Sequence, residues 1–370
     1  MQRLRVRSRS SNYDVIVGRG AWRALRRYPQ LRYSSVFILT ERPLWKRWGK
    51  KFQEESGVGD VQRIFVPPGE TSKCLKSVER LAARLLELGA DRRSLLIAFG
   101  GGVVGDLGGF VASTYMRGID CIQVPTTVVA QVDSAVGGKT GVNVGAMKNL
   151  VGTYFPPRLV LCDPLVLTSL GARAFRSGLY EVVKHAILAG DPLFSELEES
   201  LDSLRPANLK ALGPALKRAV KVKVDVVSRD EREARLRQVL NLGHTFGHAL
   251  EEVTGYRRFL HGEAVGWGLL AAIRLAQRLR VLRGTEEAQR MIELVDRVGP
   301  LPPVRDLDSQ KILGLLSRDK KAIGGRIHWV LPERIGKVLI TADVPQAAAA
   351  AAFRDVQAME RTRAPGPLEA

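Results

Sequence analysis

The almost wholly apolar run Ser94-Leu95-Leu96-Ile97-Ala98-Phe99 opens directly onto a glycine-rich stretch, residues 100–109. A strand this apolar has to be covered on both faces, which happens mainly in a parallel sheet flanked by helices. The same alternation extends to either side. Residues 35–40 read as a buried strand followed by a basic helix over 44–52. Residues 64–66 form a short strand before a loop and a helix over 77–88, which Gly89 stops. Strands over 120–124 and 159–162 complete the set, and residues 3–7 and 13–17 alternate like a hairpin with one wet face. The expectation is an α/β, Rossmann-like N-terminal domain over residues 1–170.

Gly100, Gly102 and Gly105 fit a G-x-G-x-x-G loop between that strand and a helix expected over 110–116. There backbone N–H groups and the positive end of a helix can meet a pyrophosphate, although a tight turn has the same pattern. The acid that usually contacts the ribose is not clearly placed, because Asp120 comes early and at a strand start. Farther on, Asp133, Lys139, Asn143, Lys148 and Asn149 lie among glycines, as a loop suited to holding phosphate would place them.

Beyond about residue 170 the pattern turns helical, so residues 171–370 are expected to form a mainly α-helical second domain. A helix over 177–188, with Ser177 as its cap, carries Glu181 and Lys184 on one face beside His185. Residues 220–226 alternate Val with Lys or Asp and by period alone would be a strand, yet the surroundings favour a helix carrying Lys223 inward. Later helices cover 262–282, 286–298 and 311–316. A small hairpin over 326–330 and 337–340, with His328 structural, precedes an alanine-rich helix.

Residues 240–263 hold three of the five histidines. Asn241, His244 and His248 are spaced to share one face of a helix, and His261 sits in a break from which it could fold back onto them. Converging imidazoles suggest a divalent metal, most simply zinc, though such a pair can also be two separately bonded histidines. Gly243, Gly247 and Gly262 remove side chains beside them, as close approach requires.

Lys and Arg outnumber Asp and Glu by 57 to 38, a formal charge of +19. The basic residues are scattered, without a basic block, zinc finger or amphipathic anchor. Neither nucleic acid nor membrane is therefore an expected partner, and the field suits an anionic substrate. Cys74, Cys121 and Cys162 show no metal or disulfide spacing, and no segment reads as a signal peptide or membrane span, so a cytoplasmic protein with reduced thiols is expected.

On Pro68-Gly69-Glu70-Thr71-Ser72-Lys73, Gly100-Gly101-Gly102-Val103-Val104-Gly105-Asp106, Tyr115-Met116-Arg117-Gly118, Pro125-Thr126-Thr127, residues 131–143, Lys148-Asn149-Leu150-Val151-Gly152, Ser177-Gly178-Leu179-Tyr180-Glu181-Val182-Val183-Lys184, Asp230-Glu231-Arg232-Glu233, residues 236–251, His261-Gly262-Glu263 and Asp319-Lys320-Lys321, the chain resembles the 3-dehydroquinate synthase family of sugar phosphate cyclases. The resemblance implies an NAD-binding α/β domain followed by a helical metal-binding domain. It assigns Glu181, His244 and His261 to the metal, zinc or Co2+, and moves His248 to the substrate as a proton-transfer partner. It places Glu70, Lys73, Gly101, Gly102, Val103, Asp106, Thr126 and Thr127, with Lys139 and Lys148, at NAD. Asp133, Lys139, Lys148, Asn149, Lys184, Lys223, Arg237, Asn241, Lys320 and Lys321 would line the substrate's carboxylate and phosphate, and Arg117 would be lent across a homodimer.

The implied reaction turns 3-deoxy-D-arabino-heptulosonate 7-phosphate into 3-dehydroquinate and phosphate, in the shikimate route to aromatic amino acids. Another sugar phosphate cyclase, using for example sedoheptulose 7-phosphate, and a metal-dependent polyol dehydrogenase of related fold are the alternatives. The chain departs from the family at Glu41-Arg42, Val144-Gly145-Ala146, Gly171-Ala172 and Tyr180.

Overall fold

The computed structural model describes residues 1–28, 33–59, 61–145, 147–316 and 327–362. The chain forms two compact units, one of Met1–Leu170 with Pro206–Arg232 and the other of Gly171–Arg205 with Glu233–Ala370.

The first unit opens with the antiparallel hairpin β1 (Gln2–Arg7) and β2 (Asn12–Val17). It continues through β3 (Val36–Glu41), α1 (Arg42–Ser56), β4 (Gln62–Val66), α2 (Leu75–Glu87), β5 (Leu95–Gly100), α3 (Gly102–Thr114) and β6 (Asp120–Pro125). A second hairpin, β7 (Lys139–Val144) and β8 (Met147–Tyr154), stands apart from the main sheet, and β9 (Leu159–Cys162) rejoins it. The main sheet has seven strands in the order β1-β2-β9-β6-β5-β3-β4, parallel except at β1. β5 is buried along its whole length, as its composition demands. From β3 the chain winds outward to β4, and from β5 it winds the other way to β6, so the direction of winding reverses between β3 and β5. Open α/β sheets bind ligands at the carboxyl ends of such a pair.

Two expectations need correction. Helix α3 starts at Gly102 rather than near Phe110, so much of the glycine run is helical. Its glycines let α3 lie almost directly on the strands. A Cβ on Gly109 would stand 2.4 Å from Thr140 Cγ2, and one on Gly108 would stand 3.0 Å from Ala98 Cβ. The expected phosphate loop after residue 138 is instead the β7–β8 hairpin, closed by pairs from Lys139↔Tyr154 to Val144↔Met147.

After β9 the chain contributes α4 (Ala172–Ala189) and α5 (Leu193–Ser200) to the second unit, then returns to the first as α6 (Leu209–Arg229). The alternating Val-Lys segment is therefore helical. Val220, Lys223, Val224 and Val227 are its buried residues there, the spacing of one helical stripe. α6 packs against β1, and Arg7 N donates to Ser228 Oγ at 3.2 Å. Residues 206–232 thus differ from the expected undivided unit over 171–370, because that buried stripe is covered by the first unit.

The second unit adds α7 (His244–Val253), α8 (His261–Arg278), α9 (Thr285–Arg297), α10 (Ser309–Leu316), the hairpin β10 (Trp329–Arg334) and β11 (Lys337–Thr341), and α11 (Gln346–Thr362). α8 is its axis, buried on nearly every side, with α4, α7 and α11 packed on it. Phe246 contacts the rings of Trp329 and Phe353 at centroid distances of 5.2 and 6.4 Å. Among the described residues no helix is long and apolar enough to cross a membrane.

Candidate active site

In the first unit, loops at the carboxyl ends of successive parallel strands carry most of the residues expected at a dinucleotide. β4 runs on toward Glu70 and Lys73, β5 delivers Gly101 and Gly102 at the start of α3, and β6 delivers Thr126 and Thr127. The first turn of α3, with Val103 half-buried, presents helix N–H groups that lack partners within the helix. Around it the side chains are small: a Cβ on Gly101 would lie 3.1 Å from Thr127 Cγ2, and one on Gly102 would lie 3.3 Å from Ser134 Oγ. Gly105 instead serves packing, because Gln123 Nε2 donates to its carbonyl at 3.0 Å and a Cβ there would meet Gln123 Oε1 at 2.9 Å.

The loop is tied to the β7–β8 hairpin. Lys73 pairs with Asp106. Asn143 N donates to the Lys73 carbonyl at 2.8 Å, and Asn143 Nδ2 donates to Glu70 Oε1 at 2.9 Å. Asn149, at a φ of 52°, donates its N–H to Asn143 Oδ1 at 2.9 Å. Burial raises the Asp106 carboxyl's pKa, and Lys73 pulls it back. Lys139 is exposed and Lys148 half-buried on the same hairpin. Lys223, buried on α6, donates to Asp133 Oδ1 at 2.7 Å.

Asp120 lies at the amino end of β6, where it accepts from Tyr33 Oη at 2.8 Å and from Arg158 Nε at 2.7 Å, so it does not occupy a ribose position. Glu41 closes the carboxyl end of β3, and burial raises its pKa. Arg117 is exposed at a φ of 69°, next to Met116 at 49°.

In the second unit Glu181 on α4, His244 at the first position of α7 and His261 at the first position of α8 converge. Glu181 Oε1 lies 3.5 Å from His244 Nε2 and 3.3 Å from His261 Nε2, and Glu181 Oε2 lies 2.5 Å from Lys184 Nζ. Glu181 and Lys184 are fully buried. Each imidazole turns its other nitrogen to an acceptor: His244 Nδ1 is 3.2 Å from the Leu242 carbonyl, and His261 Nδ1 is 3.2 Å from Glu251 Oε2. Neither partner can donate, so each Nδ1 carries a proton, and it is Nε2 that faces Glu181 and would give up its own proton to offer a lone pair to a cation bound there. Two imidazole nitrogens and a carboxylate are a donor set for zinc or a similar divalent cation. Burial pulls the His261 imidazolium down, but Glu251 and Glu181 outweigh it and raise its pKa to about 10. The position favours positive charge.

His248 lies on the same side, its ring centroid 5.4 Å from that of His244 and 6.1 Å from that of His261. Its metal-ligating geometry is with Glu251 and His261, not with Glu181. Asn241 does not share the helix of His244, because Gly243 at a φ of 79° intervenes. Asn241 ends a 3₁₀ turn and donates to Glu233 Oε1 at 2.6 Å. Arg237 on that turn is buried. Lys320 and Lys321 lie outside the described residues. Ser177 is not a cap: it sits inside α4, and its Oγ accepts from Gly262 N at 3.1 Å.

The glycines around the histidines admit neighbouring backbone. A Cβ on Gly262 would fall 1.7 Å from the Ser177 carbonyl oxygen, and one on Gly247 would fall 3.1 Å from that of Ala264. Tyr180, a departure from the family, is accommodated because Gly266 faces its ring, where a Cβ would lie 2.7 Å from Cδ1. Glu251, Glu263 and Arg173 were not expected from the sequence. Glu263 accepts from Leu260 N at 2.7 Å and from Arg173 Nε at 2.7 Å, holding the start of α8 and hence the His261 backbone. The i, i+4, i+7 spacing of His244, His248 and Glu251 was the available signal for Glu251.

A parallel α/β sheet unit followed by a mostly helical unit is the architecture of the sugar phosphate cyclases. The structure resembles 2-deoxy-scyllo-inosose synthase solved with carbaglucose-6-phosphate, NAD+ and Co2+, at a TM-score of 0.84 and 25% identity over 96% of this chain and 99% of that one. It also resembles 2-epi-5-epi-valiolone synthase from Streptomyces hygroscopicus subsp. jinggangensis with NAD+ and Zn2+ bound, at 0.83 and 29% over 94% and 97%. Residues 63–177 match the 3-dehydroquinate synthase N-terminal family and residues 178–322 its C-terminal counterpart. The 3-dehydroquinate synthase of Solibacter usitatus is 41% identical over 90% of this chain and 93% of its own length. That of Acidithiobacillus ferrooxidans is 46% identical over 77% and 78%. The chain belongs to the 3-dehydroquinate synthase family.

Proposed function

We propose that the chain converts 3-deoxy-D-arabino-heptulosonate 7-phosphate to 3-dehydroquinate and phosphate, as a cytoplasmic homodimer that uses NAD and a divalent cation, zinc or Co2+. It is an enzyme of the phosphate-eliminating, carbon–oxygen lyase type. The observation that carries the proposal is the convergence of His244 Nε2 and His261 Nε2 on the buried Glu181, with both Nδ1 atoms already committed to acceptors.

Glu181, His244 and His261 would hold the cation, and Glu70, Lys73, Gly101, Gly102, Val103, Asp106, Thr126 and Thr127, with Lys139 and Lys148, would hold NAD. When bound, these groups supply a Lewis acid for adjacent ring hydroxyls and a hydride acceptor that is restored within the cycle. The remaining work falls to side chains. Lys184, buried against Glu181, stays beside the cluster as a fixed cation for substrate oxygens. His248, half-buried, is assigned proton transfer to and from the substrate, for which an imidazole is suited near neutral pH. Arg237 and Asn241 are assigned the carboxylate, and Asp133, Asn149 and Lys223 the remaining polar lining. Arg117 is assigned to the partner subunit's substrate.

The purified chain with metal and NAD is expected to release phosphate from the heptulosonate phosphate without accumulating NADH. Stoichiometric NADH without phosphate release would identify a polyol dehydrogenase. Phosphate release from sedoheptulose 7-phosphate alone would identify a different cyclase. Mixing inactive Arg117→Ala with inactive His248→Ala chains should restore part of the activity if Arg117 serves its partner's site.

A further inference from the structure

We infer that Glu251 is a positioning residue for the metal site: by accepting from His261 Nδ1 it sets the ring so that Nε2 faces Glu181 and His244. The inference rests on the cation assignment above. His261 is the least buried of the three ligands, its side chain 33% exposed against 9% for His244 and 0% for Glu181, so packing constrains its ring least. A directed contact has to do what packing does not. Glu251 is 2% exposed on α7, about two turns on from His244 along the same face, and its Oε2 lies 3.2 Å from His261 Nδ1. Placing a carboxylate there is costly unless it is compensated, and a ligand imidazole with its proton directed outward compensates it.

Glu251 could instead be a ligand itself, since the ligand atoms of His248, Glu251 and His261 also lie within 4.8 Å of one another. A cation there would have to take His261 Nδ1. His261 Nε2 already points at Glu181 Oε1, 3.3 Å away, and the Glu181 cluster has two fully or nearly buried members. Both imidazoles of that cluster then have an outward acceptor, a neutral carbonyl for His244 and a carboxylate for His261. Glu251 thus lies behind the metal and makes His261 the stronger donor of the two.

The test measures Zn2+ affinity by chelator competition, and the visible absorption of bound Co2+, on the full chain and its Glu251→Gln, Glu251→Ala, Glu252→Gln and His261→Ala variants. Glu252, exposed on the next position of α7, is the control and should match wild type. Glu251→Gln keeps an acceptor but not the charge and should weaken binding about 10-fold, with Glu251→Ala nearer 100-fold and both shifting the Co2+ band. Wild-type affinity and spectrum in both variants would overturn the inference. Losses as complete as in His261→Ala would make Glu251 a ligand and overturn it from the other side. Should Glu251→Ala fail to fold, the nearly isosteric Gln variant decides. A wild-type chain that binds neither cation would instead refute the metal assignment itself.

Discussion

In the first unit most of the groups assigned to a dinucleotide follow the carboxyl ends of β4, β5 and β6, whereas in the second Glu181, His244 and His261 come from three separate helices. Parallel strands are aligned by their own hydrogen-bond ladder, so residues that follow them arrive on the same edge of the sheet whatever the loops contain. Helices have no such ladder. Their side chains meet only where the backbones cross closely enough, and in the second unit Gly247, Gly262 and Gly266 permit those crossings. The sheet site therefore depends on local motifs, and the helical site on packing.

The largest expected effect separates ligand from neighbour within the helical site. His244→Ala should lose bound metal, measured by elemental analysis, and turnover with it. His248→Ala should keep its metal and lose about 10²- to 10⁴-fold in turnover, the usual weight of one proton-transfer group. Equal metal loss in both would restore a three-histidine site.

Next comes the packing itself. Gly262→Ala touches no ligand atom, yet its Cβ would collide with the Ser177 carbonyl oxygen at 1.7 Å and push the start of α8, with His261, away from α4. Its metal affinity should fall along with its thermal midpoint. Unchanged affinity would show that the helical site does not depend on that crossing.

In the first unit Lys223→Met leaves Asp133 without its buried cation, and breaking such a pair costs about 3–5 kcal/mol. Denaturant unfolding should register that loss in the first unit, while Zn2+ binding by the second unit stays at wild-type affinity. A fall in affinity would show that the two assemblies are not independent.

The smallest effect is in pH. The His261 pKa, raised from 6.5 to about 10, gives the metal-free chain a stabilisation that is complete below the unfolded value of 6.5 and is lost as pH rises through about 10. The ring is a third exposed, so solvent screens part of it. The midpoint of the metal-free protein should therefore decline between pH 6.5 and 10, and saturating Zn2+ should flatten the decline. A metal-free midpoint that rises over this range would show that the carboxylates around His261 do not govern its charge.

The sheet was legible because its signals are local. β5 is apolar on both faces, Gly89 ends a helix and the terminal strands alternate, and each was placed within a few residues. The glycine run was read correctly as lying at a strand end but not as helix, since Gly105, Gly108 and Gly109 owe their positions to Gln123, Ala98 and Thr140, which are distant in sequence. α6 went the other way. Its valines satisfy a two-residue period and a helical stripe at once, but the helical surroundings favoured a helix with Lys223 inward, and the buried set of Val220, Lys223, Val224 and Val227 agrees.

By itself, the sequence determined the class of fold and the strand ends that carry the glycine motifs, because residue type and short-range spacing are sufficient for these, whereas spacing alone pointed to His244, His248 and His261 and only the family resemblance brought in Glu181. Tertiary structure alone decided which nitrogen each histidine presents, that Asn241 leaves the histidine helix at Gly243, and that Glu251 stands behind His261. Those outcomes depend on where hydrogen-bond acceptors from other turns and helices fall, and no periodicity along the chain encodes that.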